Sequence, residues 1–226
     1  MDEPHDAADA ILRSWDANAR AWTDVVREAR IESRRVATDA AILDALCARS
    51  PARVLDVGCG EGWLTHELTA RGIDAVGVDA CAALIEDAAA TGGGRFYVRG
   101  YAALAADPLA FGRFAAAVCN FSLFERDLAP LLGALHALLE VPGDLFIQSV
   151  HPGARPDGGR EDGWRLETFS LLGEGDTVAM PWYFRTLDSW RRSLALAGFD
   201  RVRDEHIHHP ASGAPLALIL CAAKCR

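Results

Sequence analysis

Lysine is nearly missing from this chain. Of 23 basic residues in 226, only Lys224, the third residue from the end, is a lysine, and the rest are arginines. An enzyme that carries pyridoxal on a lysine would have that single residue to use, and a phosphate-cradling GxxxxGK[ST] loop is absent. Basic charge as a whole is scarce. Against 32 acidic residues it leaves a formal charge of −9, and the paired arginines Arg34-Arg35 and Arg191-Arg192 lie far apart, so no footprint for nucleic-acid phosphates is visible. No uncharged apolar run reaches the roughly 18 residues that a membrane-spanning helix needs. The six cysteines (47, 59, 81, 119, 221 and 225) form no CxxC pair and no zinc-like Cys/His spacing. A chain this long buries a core without disulfide staples, so they read as reduced thiols and small buried hydrophobes. The opening MDEPHDAADAILRSWD is acidic where a secretion signal would be basic and then apolar. The expectation is a cytoplasmic monomer or homodimer with no metal, membrane or nucleic-acid partner.

What is present is alternation. Residues 7–49 read as helical, with Ile11, Trp15, Trp22, Val25 and Val26 at helical spacing and a second helical stretch through Val36, Ile42, Leu43 and Leu46 stopping before Pro51. Short apolar runs then alternate with helical ones. Strands are predicted at 53–57, 75–78, 96–98, 114–120 and 145–150, with helices at 63–70, 82–90 and 128–139. This is the pattern of right-handed βαβ units around a parallel sheet covered on both faces. Residues 151–180 are rich in glycine with little periodicity and read as an inserted loop, a pocket wall or lid. A helix at 187–197, closed by Gly198, precedes strand-like segments at 201–207 and 215–223, joined by HHPASGAP as an antiparallel pair at the end of the sheet.

The strongest signal is Val54-Leu55-Asp56-Val57-Gly58-Cys59-Gly60-Glu61-Gly62-Trp63, a buried strand entering a glycine turn and then a helix. A dinucleotide fingerprint would place a third glycine where Trp63 stands. Asp56, two residues before the first glycine, would repel a pyrophosphate but suits a ligand with an ammonium group. Asp79 closes the next strand, where a carboxylate accepts hydrogen bonds from the ribose hydroxyls of an adenosine. The site therefore asks for an adenosine, a positive group and no diphosphate, which S-adenosylmethionine satisfies. Either feature alone also has a plain structural reading, the glycines as a tight turn and Asp79 as a helix cap.

The row Asp56-x-Gly58-x-Gly60-x-Gly62 followed by Asp79 resembles the first two motifs of class I S-adenosylmethionine-dependent methyltransferases. Tyr101-Ala102 resembles the segment flanking the adenine in that family. Cys119-Asn120-Phe121-Ser122-Leu123 resembles its fourth motif, and Pro142-Gly143-Asp144-Leu145 its PGG turn. The ending RTLDSWRRSLALAGF is similar to the last helix of the small-molecule group near the ubiquinone-biosynthesis methyltransferases. The [ND]PP[YF] of enzymes that methylate nucleobases or protein amides is replaced by Asn120-Phe121-Ser122-Leu123. The resemblance implies a Rossmann-like α/β fold, with a seven-stranded, mostly parallel sheet whose last strand is antiparallel and helices on both faces. Residues 1–50 would be a helical appendage or lid and 51–226 the methyltransferase domain, with the 151–182 insertion near the acceptor.

It also implies cofactor contacts at Asp56, Gly58, Cys59, Gly60, Asp79, Ala80, Tyr101, Ala102, Asn120, Phe121 and Ser122. Trp22 joins them, with Trp15 beside it on the amino-terminal helix as a lid, through the affinity of a sulfonium for an aromatic face; amphipathic packing explains both tryptophans as well. His151, directly after the fifth strand, is the candidate base, or else a histidine bonded to its loop. Trp182, Tyr183 and Arg185 are candidate substrate residues, with Arg185 facing a carboxylate or phosphate; core packing and a helix-start ion pair explain them equally. Glu205-His206-Ile207-His208-His209 reads as a solvated strand edge rather than a metal site. The expected activity is methyl transfer to a small molecule, with S-adenosylhomocysteine as product. A catalytically inactive binding protein and a nicotinamide oxidoreductase are the alternatives.

Overall fold

β1 (Arg53–Val57) is buried along all but its first residue, so it needs neighbours on both edges. In the computed structural model, which describes residues 7–154, 160–172 and 177–225, it pairs in parallel with β2 (Asp74–Asp79) and with β4 (Phe114–Asn120). With β3 (Arg95–Val98), β5 (Leu139–Val150), β8 (Arg201–His208) and β9 (Pro215–Lys224) the sheet runs β3-β2-β1-β4-β5-β9-β8. β9 alone is antiparallel to the rest, pairing so with both β5 and β8.

The last two strands are not simply appended at the end of the sheet. β9 slots between β5 and β8, and composition explains why. PLALILCAAK is an almost unbroken apolar run that needs cover on both edges, whereas RVRDEHIH alternates charge with apolar residues and tolerates an exposed edge.

Successive residues of each strand feed opposite cores. Leu55, Ala117 and Leu145 join a cluster with Leu131, Leu135, Trp190 and Leu194 from α6 (Ala129–Leu138) and α7 (Leu187–Leu196). Val54, Val118 and Phe146 join another with Ile42 and Leu46 from α2 (Asp39–Cys47) and Leu64 and Leu68 from α3 (Trp63–Ala70). α4 (Ala82–Thr91) and the short α5 (Tyr101–Ala106), which the pattern did not single out, complete the covering layers.

The amino-terminal helical stretch is broken. α1 (Ala7–Arg27) ends before Ala29, which takes a left-handed φ of 52°, and a π-helical turn, Arg34–Thr38, leads into α2. The region expected to be loop holds a two-stranded antiparallel ribbon, β6 (Gly163–Glu167) with β7 (Met180–Phe184). Positions 155–159 and 173–176 of that insertion, and 1–6 of the appendage, lie outside the described residues. α1 is stitched to the insertion by Asn18, whose Nδ2 donates to Val178 O at 2.7 Å and whose Oδ1 accepts from Val178 N at 3.1 Å, and by Ser14 Oγ donating to the same carbonyl. Among the described residues no helix is long and apolar enough to cross a membrane.

The single lysine closes a helix. Lys224 Nζ donates to His136 O at 2.7 Å and to Leu139 O at 2.8 Å, the latter shared with Arg113, so a cation sits on the carbonyls at the end of α6. Lys224→Met removes the cation from the His136 carbonyl and leaves Leu139 O to the 3.3 Å bond from Arg113, and is expected to cost about 1–3 kcal/mol, read by urea denaturation at unchanged slope.

Candidate active site

Three consecutive requirements shape the turn between β1 and α3. Gly58 and Cys59 N–H both donate to Val78 O, at 2.8 and 3.0 Å, and Gly60 N–H donates to Asp79 Oδ2 at 3.0 Å. Following this path puts Gly58 at φ +70° and Gly62 at φ +88°. A Cβ on Gly58 would lie 2.4 Å from Ser122 Cβ, because the exit of β4 presses on the turn and Ser122 Oγ donates to Val57 O at 2.6 Å. A Cβ on Gly60, by contrast, would meet nothing within 4 Å, so the turn is open on the side facing the cavity.

The acids around the turn are buried. Asp56, 1% exposed, accepts from Thr65 Oγ1 at 2.8 Å, and burial pushes its carboxyl up to about 7 against that hydrogen bond. Asp79 is raised by burial and held back by the N–H groups of Cys81, Gly60 and Ala80. Glu61, 4% exposed, is also raised by burial, opposed first by Arg34 and then by its own N–H and that of Trp63, which places it over the start of α3. Glu61 Oε1, Asn120 Oδ1 and Gln148 Oε1 are buried oxygens with no protein partner.

These groups face a cavity of about 430 Å³ at the carboxyl ends of β1, β2, β4 and β5. Its walls include Asp56, Gly58, Cys59, Gly60, Asp79, Ala80, Tyr101, Asn120, Phe121, Ser122, Trp22 and Trp182, all singled out from the sequence. Ala102 is exposed on α5 and does not line it. Arg34 lines it from the π-helical turn, with its guanidinium 4.6 Å from the Trp63 ring and Nε 3.0 Å from Asp39 Oδ1. α1, the β4 exit and the insertion add an aromatic wall. Trp15 lies 5.3 Å from Trp22, 5.9 Å from Phe124 and 5.5 Å from Phe169, with Met180 beside them.

The structure does not bring His151 to this cavity. Its N–H pairs with Leu216 O, which carries the chain along β9, and the ring turns toward β8. Gly153 N–H donates to His151 Nδ1 at 2.8 Å, so the proton resides on Nε2, 2.7 Å from His206 Nδ1, and His206 Nε2 reaches Asp204 at 3.2 Å. Burial and then His206 and His208 lower the His151 pKa. Both ring nitrogens are engaged in a surface relay. Among the described residues no group of His, Cys, Asp and Glu is arranged to hold a metal ion.

Tyr183 and Arg185 also stand outside the cavity wall. Tyr183 N–H donates to Phe124 O, and Arg185, 5% exposed, gives Nη2 to Glu125 O and Arg126 O at 2.5 Å each. Burial lowers the Arg185 pKa to about 10. Its fork is consumed in bracing the segment after β4, which leaves Trp182 as the substrate candidate on the wall. Arg34, Glu61, Gln148, Phe124, Glu125, Glu167 and Phe169 are lining residues that the sequence reading passed over. Gln148 alone carried a usable signal, a polar residue inside the apolar run of β5.

Residues 29–221 match the family described as methyltransferase domain, so the chain belongs to that family. Its fold is the Rossmann-like fold of S-adenosylmethionine-dependent methyltransferases. One similar structure is the 1,6-didemethyltoxoflavin-N1-methyltransferase of Burkholderia thailandensis with bound 1,6-didemethyltoxoflavin and S-adenosylhomocysteine. It is 22% identical with a TM-score of 0.66, over 100% of this chain and 92% of that one. An S-adenosylmethionine-dependent methyltransferase from Mesorhizobium loti is 20% identical with a TM-score of 0.57, over 80% and 96%. Magnesium protoporphyrin IX methyltransferase from Synechocystis PCC 6803 with bound S-adenosylmethionine is 14% identical with a TM-score of 0.54, over 99% and 86%. No curated protein sequence matches the chain. The narrower likeness to ubiquinone-biosynthesis enzymes gains no support from these relatives.

Gly58→Ala combines a left-handed φ with a collision against Ser122. It is expected to destabilise the fold by about 2–5 kcal/mol in denaturant unfolding.

Proposed function

We propose that this chain transfers a methyl group from S-adenosylmethionine to a small-molecule acceptor in the cytoplasm. The observation that carries the reading is the carboxylate of Asp79, fixed by Gly60 and Cys81 N–H at the lip of the open turn. Gly60 N–H takes a site on one oxygen and Cys81 N–H a site on the other, and the carboxylate keeps acceptor capacity for ribose hydroxyls. The unpartnered oxygens of Glu61, Asn120 and Gln148 fit a ligand rich in donors. Asp56 and Glu61 suit its ammonium and Arg34 its carboxylate, while the Glu61 carboxylate over the start of α3 disfavours a diphosphate. The six free thiols accord with a reducing compartment. α1 and the β6–β7 ribbon form the wall opposite the glycine turn and act as a lid.

S-adenosylmethionine, when bound, supplies an electrophilic methyl group on a sulfonium. The protein's part is to hold the acceptor in line with it and to keep water out, and proximity of that kind supplies much of the acceleration. The buried acids and the apolar walls provide the orientation and the dryness.

S-adenosylhomocysteine near a hundred times its dissociation constant is expected to raise the unfolding midpoint by roughly 5–10 °C, with no shift from NADH. Asp79→Ala abolishes the shift. Absence of a shift in the unaltered protein overturns the reading.

Asp56 adds a pH signature. Its folded pKa of about 7 lies above the unfolded value, so its contribution to stability is full below about pH 4 and lost as pH rises through 7. A bound ammonium favours the ionised form, so ligand binding releases a proton near pH 7 and tightens from pH 6 to 8. Calorimetry in buffers of different ionisation enthalpy detects that proton, and Asp56→Asn eliminates it.

A further inference from the structure

The far end of the cavity has a chemistry of its own. Trp15, Phe124, Phe169, Met180 and Trp182 supply flat, polarisable surface. Two carboxylates join them. Glu125 follows Phe124 at the β4 exit, and Glu167 is held in place by Phe169 N–H donating to its Oε1 at 2.8 Å. The cations on the cavity wall stand elsewhere. Arg34 lies over Trp63 and is paired with Asp39, and Arg99 Nη2 donates to Ala103 O and Asp107 O. Arg185, behind Glu125, is spent on the backbone carbonyls of Glu125 and Arg126. Aromatic faces with carboxylates and no lining cation attract positive charge and repel anions.

We propose that the acceptor is an alkylamine carried on a flat aromatic ring system, bound as its ammonium cation against this wall, and that Glu125 takes the proton that frees its nitrogen. The inference rests on the methyltransferase reading and narrows it. Burial and Asp127 raise the Glu125 carboxyl while Arg185 opposes them, which suits a group that must both attract a cation and accept its proton. The ammonium gives one proton to Glu125. The freed lone pair forms a bond to the methyl carbon as the carbon–sulfur bond breaks and its electron pair stays on sulfur, leaving a thioether and a methylated ammonium.

The test measures binding, not turnover, by calorimetry on the full chain saturated with S-adenosylhomocysteine. The probes are 2-naphthylmethylamine, 2-naphthalenemethanol and 2-naphthoic acid, matched in size and differing in charge. The amine is expected to bind about tenfold or more tighter than the acid, and Glu125→Gln to cut its advantage over the alcohol by about fivefold or more while alcohol binding persists. Persisting alcohol binding shows that the variant is folded. Phe169→Ala weakens the amine and the alcohol together. An acid that binds as well as the amine, an amine that does not bind, or an amine-to-alcohol ratio unmoved by Glu125→Gln overturns the proposal. Failure of S-adenosylhomocysteine itself to bind overturns the broader methyltransferase reading instead.

Discussion

The carbonyl of Val78 and the carboxylate of Asp79 together grip the turn that follows β1, through the N–H groups of Gly58, Cys59 and Gly60. Because both acceptors belong to the end of β2, the turn cannot drift relative to the sheet. The bend they impose demands positive φ at Gly58 and brings Ser122 close enough that no side chain fits between. Ser122 in turn bonds back to Val57, so the ends of β1, β2 and β4 form one rigid rim. Every one of those bonds has a main-chain atom at one end or both, so the rim is tied to the backbone rather than to side-chain packing.

The rim concentrates negative charge where it is costly. Asp56, Glu61 and Asp79 are all raised by burial, and each also meets an opposing interaction, from Thr65, Arg34 and backbone N–H groups respectively. A fold under selection for stability alone would place apolar residues there. Acids kept in such surroundings gain most when a cation enters, because the same low dielectric that penalises the lone charge strengthens its pairing. The stability lost in the empty protein and the affinity for a zwitterionic, positively charged ligand have one origin.

The strands and the glycine turn were legible because their signals are local. Buried strands show as apolar runs, and a turn that needs positive φ shows as glycine. What the sequence left unread depends on which neighbour a residue meets. His151 follows β5 and so reads as an edge residue facing the ligand crevice, yet pairing with Leu216 prolongs the ladder and delivers the ring to His206. Arg185 reads as an anion receptor because three aromatic residues precede it, and nothing local reveals the carbonyls of Glu125 and Arg126 some sixty positions earlier. The placement of β9 between β5 and β8 could have been inferred, since its apolar run is poorly suited to an edge. The ribbon of β6 and β7 was hidden by glycine-rich stretches around it and by the mixed composition of Met180–Phe184.

The two halves of the cavity are built by different physics, and this bears on how specificity can vary. The side of the glycine turn is backbone geometry at the ends of parallel strands, where a change at Gly58 or Asp79 disturbs the sheet itself. The opposite side is side-chain surface contributed by α1, the β4 exit and the insertion, joined by the packing of Ile11, Trp15 and Trp22 on Phe169 and Met180 and by Asn18 and Ser14 reading the backbone of Val178 across at least 160 positions of sequence. Those bonds address main-chain atoms and so do not depend on what the insertion's side chains are. Trp182, only partly buried, can therefore be exchanged with the latch intact and the rim undisturbed, whereas Phe169 and Met180 also pack the insertion onto α1. The glycine turn can thereby stay constant while part of the wall opposite it is rebuilt, because no bond of the rim runs through that wall.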